Sequence, residues 1–163
     1  MTNSALIYIS LGSNINPNHH IPQALQTIAA DLSECSISPI YRSAAVGMQG
    51  ADFLNAVAGG YTTTDVASIT RWLKNIEQQH NRIRGADKFT DRTLDLDLLL
   101  YNQLITDDLP HHDIEEQAYV LQPLVDLAPQ LIHPTLQVSM SALRNRLSQT
   151  NPDLFTALTT VTL

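Results

Sequence analysis

Leucine recurs at every second position along "DRTLDLDLLLYN", residues 91–102. That alternation predicts a β-strand from Leu94 to Tyr101, with Leu94, Leu96, Leu98 and Leu100 on one face and Thr93, Asp95, Asp97 and Leu99 on the other. The leucine face belongs to a core. The acidic face requires another explanation, because Asp is depleted in strands and two like charges side by side on one face repel. A cation is expected to sit between them.

The rest of the chain reads in the same way. "ALIYISLGSN", residues 5–14, is a buried strand broken at Gly12, and "HIPQALQTIAADL" is the amphipathic helix that follows. "SISPIYRS" is a second strand interrupted at Pro39, which places the proline at an edge or a strand start. "AAVGMQGAD" has no packing period and reads as a loop. "FLNAVAGGYTTT" is a third strand whose glycine pair suggests a bulge. Thr64 or Asp65 caps a helix running to about Gln79, with Ile69, Trp72, Leu73 and Ile76 as its apolar stripe. "NRIRGADKFT", from Asn81 to Thr90, loses the pattern and is expected to be a mobile loop. After the fourth strand the chain turns through Asn102 into an extended "QLIT". The loop "PHHDIEEQ" follows, then helices near "AYVLQPLVDLA" and from Ser139 to Leu147, and the tail "LFTALTTVTL" adds an edge strand. This order is the split βαβ arrangement. The expected fold class is α+β: a ferredoxin-like split βαβ sandwich, with a mainly antiparallel sheet flanked by helices.

With 163 residues and 44% hydrophobic content, the chain can bury one sizeable core, so residues 1–163 are expected to form a single domain. No apolar run approaches the roughly 20 residues of a membrane span, and the N-terminus lacks the pattern of a secretory signal. A lone cysteine, Cys35, fits a packed residue in a reducing compartment. A cytoplasmic protein without a membrane partner is expected. The net charge of −7 argues against nucleic-acid binding through a broadly basic surface. Six of the nine cationic residues nevertheless fall in one window, Arg71, Lys74, Arg82, Arg84, Lys88 and Arg92, which ends just before Asp95. A positive cluster running into paired carboxylates suggests a site for a small polyanion that arrives with a divalent metal. His111 and His112 lack a nearby Cys or third His at zinc-site spacing.

These blocks resemble the 6-hydroxymethyl-7,8-dihydropterin pyrophosphokinase family over roughly residues 5–145. "YISLGSN" is similar to the family's opening strand and turn, and "YRSAAVG" with "DFLNAV" to its pterin-side loop and third strand. "RIRGADKFTDRTLDLDLLLYN" resembles the family signature, and "LPHHDIEEQAYVLQPLVDLAP" its downstream Pro-His block. The resemblance implies an Mg²⁺-dependent transfer of pyrophosphate from ATP to the pterin's hydroxymethyl group, with release of AMP, in folate biosynthesis. It implies Arg82, Arg92, Asp95 and Asp97 as catalytic residues, and Asp95 and Asp97 as ligands of two Mg²⁺ ions. Two carboxylates about 7 Å apart at the backbone can serve metals spaced about 3.5–4 Å. Glu77, Arg84, Lys88, His111 and His112 fall at ATP-side positions. Ser43, Ala44, Val46, Phe53, Asn55, Phe89 and Tyr119 fall on the pterin side. The implied partners are the two small-molecule substrates, and the enzyme is expected to be a monomer.

The chain departs from the family pattern in two stretches. Phe89, Thr90 and Asp91 stand where the family carries Trp-Gly-Pro, and Gln117 stands where it commonly has arginine. Asp91, Glu115 and Glu116 add negative charge near the expected triphosphate path. The departures imply an active enzyme with a weakened polyanion clamp. The alternative is a diverged, non-catalytic pterin- or nucleotide-binding protein of the same fold.

Overall fold

The computed structural model describes residues 3–45, 50–82 and 91–163. Expectations for Val46, Arg84, Lys88 and Phe89, and for the loop containing the last three, lie outside these residues.

Strand β1 (Ala5–Ser13) is the axis of the fold. Its odd positions, Ala5, Ile7, Ile9 and Leu11, join a buried cluster with helix α1 (Pro17–Asp31) and helix α2 (Val66–Gln79). Its even positions face the other way, where Leu6 and Tyr8 pack in a second cluster. The strand continues through Gly12 to Ser13, so the expected break at Gly12 does not occur.

Beside β1 lie β4 (Phe53–Thr62) and β5 (Asp95–Tyr101), both antiparallel to it. Beyond β4 come β2 (Ser33–Ile37) and β3 (Ile40–Ser43), separated at Pro39, a residue that cannot donate to a ladder. The tail strand β6 (Thr159–Val161) closes the edge on β3. The described sheet runs β5-β1-β4-β3-β6, with β2 also on β4, and the pairings between these strands are antiparallel. The α+β split βαβ fold is therefore present, with the N-terminal helix pair covering one face.

Short α3 (Asp113–Glu116), α4 (Ala118–Leu127) and α5 (Met140–Thr150) lie on the opposite side, followed by α6 (Asp153–Thr156). Val120, Leu121 and Leu124 of α4 and Met140 and Leu143 of α5 bury against Tyr8, Val57, Leu99 and Leu100. Full burial of one such leucine stabilises by about 1.5–3 kcal/mol. Beyond this cover, Ser10, Gly12, Asn55, Asp95 and Asp97 line a cleft.

Two irregularities correct the alternation read from sequence. Tyr8 pairs with Leu100 and Ile9 with Leu98, so Leu99 is an extra residue in β5. The bulge turns Leu100 to the face of Tyr8 and away from Leu94, Leu96 and Leu98. The second bulge lies in β2, where Ser33 pairs with Tyr61 and Ser36 with Gly59, and Glu34 has φ 52°. It was expected in β4, at the glycine pair. Those glycines serve close approach instead: a Cβ on Gly59 would sit 2.5 Å from the Tyr8 ring, and one on Gly60 would sit 3.0 Å from Leu32 Cβ and from the Ser33 carbonyl oxygen. "QLIT" forms no strand. At α2, Asp65 is the cap, accepting from Ser68 N at 2.8 Å, a contact worth about 1 kcal/mol.

Candidate active site

Period-two geometry carries the site. Asp95 of β5 pairs with Gly12 of β1, Gly12 with Asn55 of β4, and Asn55 with Tyr41 of β3, which makes one row across four strands. In the next row Asp97 pairs with Ser10, and Ser10 with Val57. With strands about 4.8 Å apart, Asp95 and Asn55 stand two strand spacings from each other, and only Gly12 lies between. A Cβ at Gly12 would come within 3.5 Å of Asn55 Oδ1 and 3.8 Å of Phe53 Cδ1. The missing side chain keeps the floor open between the acidic end and the amide end.

Above this floor is a cleft of about 490 Å³. Among the residues expected from sequence, Arg82, Arg92, Asp95, Asp97, His111, His112, Ser43, Ala44, Phe53, Asn55 and Tyr119 all line it. Glu77 is absent from the lining. It is 2% exposed and lies beneath the site, where its Oε2 accepts from Arg82 Nη1 at 3.1 Å and from the backbone N–H of Leu96 at 3.2 Å. Sequence reading missed Ser10, Gly12 and Asp113, which also line the cleft, as does Glu116, expected near the triphosphate path. A glycine inside a strand is the one signal that pointed to Gly12, because it marks close approach of a ligand or backbone.

The two aspartates are held differently. Asp95 is gripped on both oxygens: Arg82 Nη1 donates to Oδ1 at 2.9 Å and Arg92 Nη1 to Oδ2 at 2.9 Å. Arg82 Nη1 also donates to the Leu94 carbonyl at 2.7 Å. Asp97 has its nearest described ion-pair partner in His111, with Nε2 3.9 Å from Oδ1. Burial in the cleft floor, reinforced by Asp95, pushes the Asp97 carboxyl above the ordinary carboxylate range. Burial disfavours the charged form, and a nearby cation would favour it.

At the other end, Asn55 Nδ2 donates to Ser43 Oγ at 2.8 Å and to the Tyr41 carbonyl at 3.4 Å, which fixes the amide. Tyr119 is pushed up to about 12 by burial and then by Asp113 and Asp95, so its phenol keeps its proton. Asp91, one of the departures, is exposed and absent from the lining, and its Oδ1 accepts from Asn14 Nδ2 at 2.7 Å.

The model of the 7,8-dihydro-6-hydroxymethylpterin-pyrophosphokinase family matches residues 8–129. The chain belongs to this family. It is 34% identical over 139 residues to the 2-amino-4-hydroxy-6-hydroxymethyldihydropteridine pyrophosphokinase of Haemophilus influenzae, covering 80% of this chain and 86% of the relative. The pyrophosphokinase of Pseudomonas aeruginosa is also 34% identical, over 136 residues, covering 78% and 83%. A solved Plasmodium falciparum HPPK-DHPS structure with pteroate superposes with a TM-score of 0.78 at 12% identity, covering 99% of this chain. The chain spans about half of that one, 47%, and the likeness shows the shared pyrophosphokinase fold.

Proposed function

We propose that the chain transfers a pyrophosphoryl group from ATP to the hydroxymethyl oxygen of 6-hydroxymethyl-7,8-dihydropterin in folate biosynthesis. The observation that carries the reading is the row Asp95–Gly12–Asn55. It sets an acidic end and an amide end on one open floor.

At the amide end, Asn55 has its Nδ2 committed to Ser43 and Tyr41, so its Oδ1 is the atom left to accept from the N–H edge of the pterin ring. Phe53 and Tyr119 line the same cavity and supply flat apolar cover, with Ser43 and Ala44 closing the side. The protonated Tyr119 phenol is a donor.

At the acidic end, the donor set is oxygen-rich and anionic, which suits Mg²⁺. Asp95 and Asp97 would hold it, as two ions in this reading. Bound there, Mg²⁺ would neutralise phosphate charge and orient the phosphate chain. Arg82 and Arg92 fix the Asp95 carboxylate and present guanidinium planes to the phosphates, while Glu77 fixes Arg82 from below. His111 and His112 face the nucleotide side, with Arg84 and Lys88 proposed beside them. The hydroxymethyl oxygen bonds to the β-phosphorus and gives up its proton to solvent, the bond from that phosphorus to the AMP oxygen breaks, and AMP leaves with the electron pair. Holding both reactants in line is the chain's main contribution. The reading includes one pyrophosphokinase domain acting as a monomer, since one chain already encloses the cleft.

Asp97→Asn tests this assignment. It removes a negative ligand and little volume, so turnover should fall by about two orders of magnitude or more, equivalent to about 2.7 kcal/mol, while circular dichroism stays that of the wild type. Wild-type Mg²⁺-dependent AMP release from Asp97→Asn would refute the metal assignment.

A further inference from the structure

We propose that His111, His112 and Asp113 form a binding site for a divalent transition-metal ion of the zinc, cobalt or manganese class at the cleft rim, separate from the Asp95–Asp97 pair. Each residue offers one ligand atom, and the three atoms lie within 4.8 Å of one another. The entry into α3 brings this about. The two imidazoles stack with centroids 4.6 Å apart and planes 19° apart, and the Asp113 carboxylate reaches both, with Oδ1 3.2 Å from His112 Nε2 and Oδ2 3.9 Å from His111 Nδ1.

The tautomer of His111 suits this role. The backbone N–H of Asp113 donates to Nδ1 at 3.2 Å, so Nδ1 carries the lone pair and Nε2 the proton. Nε2 then faces the Asp97 carboxylate at 3.9 Å. At 3.9 Å this is an approach without a hydrogen bond, and a small closing movement gives the N–H-to-carboxylate pairing usual behind a metal-bound histidine. The Nδ1 lone pair accepts the backbone N–H, so an ion bound at Nδ1 displaces it and leaves the Asp113 N–H to water.

Ligand chemistry separates this site from the aspartate pair. Two imidazoles and one carboxylate suit the borderline-soft first-row ions, whereas Mg²⁺ prefers oxygen alone. Three protein ligands leave a position for water or a phosphate oxygen. All three residues line the cleft beside Glu116 and Gln117, neither of which is cationic, so the ion would add positive charge there. That consequence rests on the nucleotide reading above, whereas the ion site stands on residues 111–113 alone. Spacing to a Cys or a third His does not mark this site, because its third ligand is Asp113.

The test is Co²⁺ binding to wild-type protein in excess Mg²⁺, which keeps the aspartate pair filled, followed by calorimetry and by the visible absorption of protein-bound Co²⁺. One Co²⁺ per chain is expected, displaceable by Zn²⁺. His112→Ala and Asp113→Asn should each weaken it by about tenfold or more. The His112 side chain is 72% exposed, so its removal leaves the fold in place. Uptake that both variants retain at wild-type strength overturns the proposal, as does no uptake at all. Uptake abolished by Mg²⁺ assigns the ion to Asp95 and Asp97, which overturns the proposal and leaves the pyrophosphokinase reading standing.

Discussion

Asn14 is 6% exposed and ties together three segments around the cleft. Its Nδ2 donates to Asp91 Oδ1 at 2.7 Å and to the Ala51 carbonyl at 3.2 Å, and its Oδ1 accepts from Arg92 N at 2.7 Å. Its own N–H, with that of Ile15, donates to the Arg92 carbonyl at 3.0 and 3.1 Å. Arg92 in turn holds Asp95, so Asn14 positions a site residue without lining the cleft itself. Asn14→Ala leaves the Arg92 N–H and the Asp91 carboxylate without these partners, at a cost of about 1–3 kcal/mol. We predict a lower urea midpoint and a kcat/KM lowered by about tenfold, which corresponds to about 1.4 kcal/mol. Unchanged kinetics would show that the backbone bonds alone fix Arg92. At this scale the sequence was legible where period two applied: Asp95, Asp97 and Asn55 all point into the cleft. It was not legible for Asn14 or Glu77, whose roles come from partners far along the chain.

At the scale of elements, strand and helix order could be read from periodicity, but the two bulges could not. Leu99 looks like any other leucine, and the extra residue shows only against its partner strand. The glycine pair signalled a local peculiarity, yet its cause is the Tyr8 ring and the start of β2. Gly59→Ala places a methyl 2.5 Å from that ring. Overpacking of this kind costs about 1–3 kcal/mol, and a matching fall in the urea midpoint is expected; an unchanged midpoint would mean that Tyr8 moves freely.

Helices α1 and α2 are joined by His20 and His80, whose Nδ1 atoms meet at 2.8 Å with both residues buried. Burial, then the neighbouring imidazoles, hold both below the ordinary value of 6.5. The unfolded chain therefore binds protons that the folded chain refuses. Stability from this pair is full above about pH 6.5 and declines as pH falls below it. Urea unfolding at stepped pH should show that decline, and it should shrink in a His20→Gln, His80→Gln double variant. An equal slope in the two proteins would remove the pair as its source.

On the scale of the whole molecule, an acidic chain assembles a charged cleft from distant segments: β1, β3, β4 and β5 form the floor, and α3 and α4 one wall. The sequence placed basic and acidic residues next to each other near position 92, but it did not show that two arginines would be spent gripping Asp95. It also read Asp91 as a charge facing the nucleotide, whereas the folded chain turns that carboxylate to Asn14. Of the two departures Asp91 and Gln117, only Gln117 stands in the cleft lining.

The most direct measurement is AMP release by the purified wild-type chain from ATP, with Mg²⁺ and 6-hydroxymethyl-7,8-dihydropterin each present or withheld. The account predicts AMP only when both are present, with one pyrophosphorylated pterin formed per AMP. ADP as the product, AMP formed without pterin, or pterin bound without turnover would each contradict it.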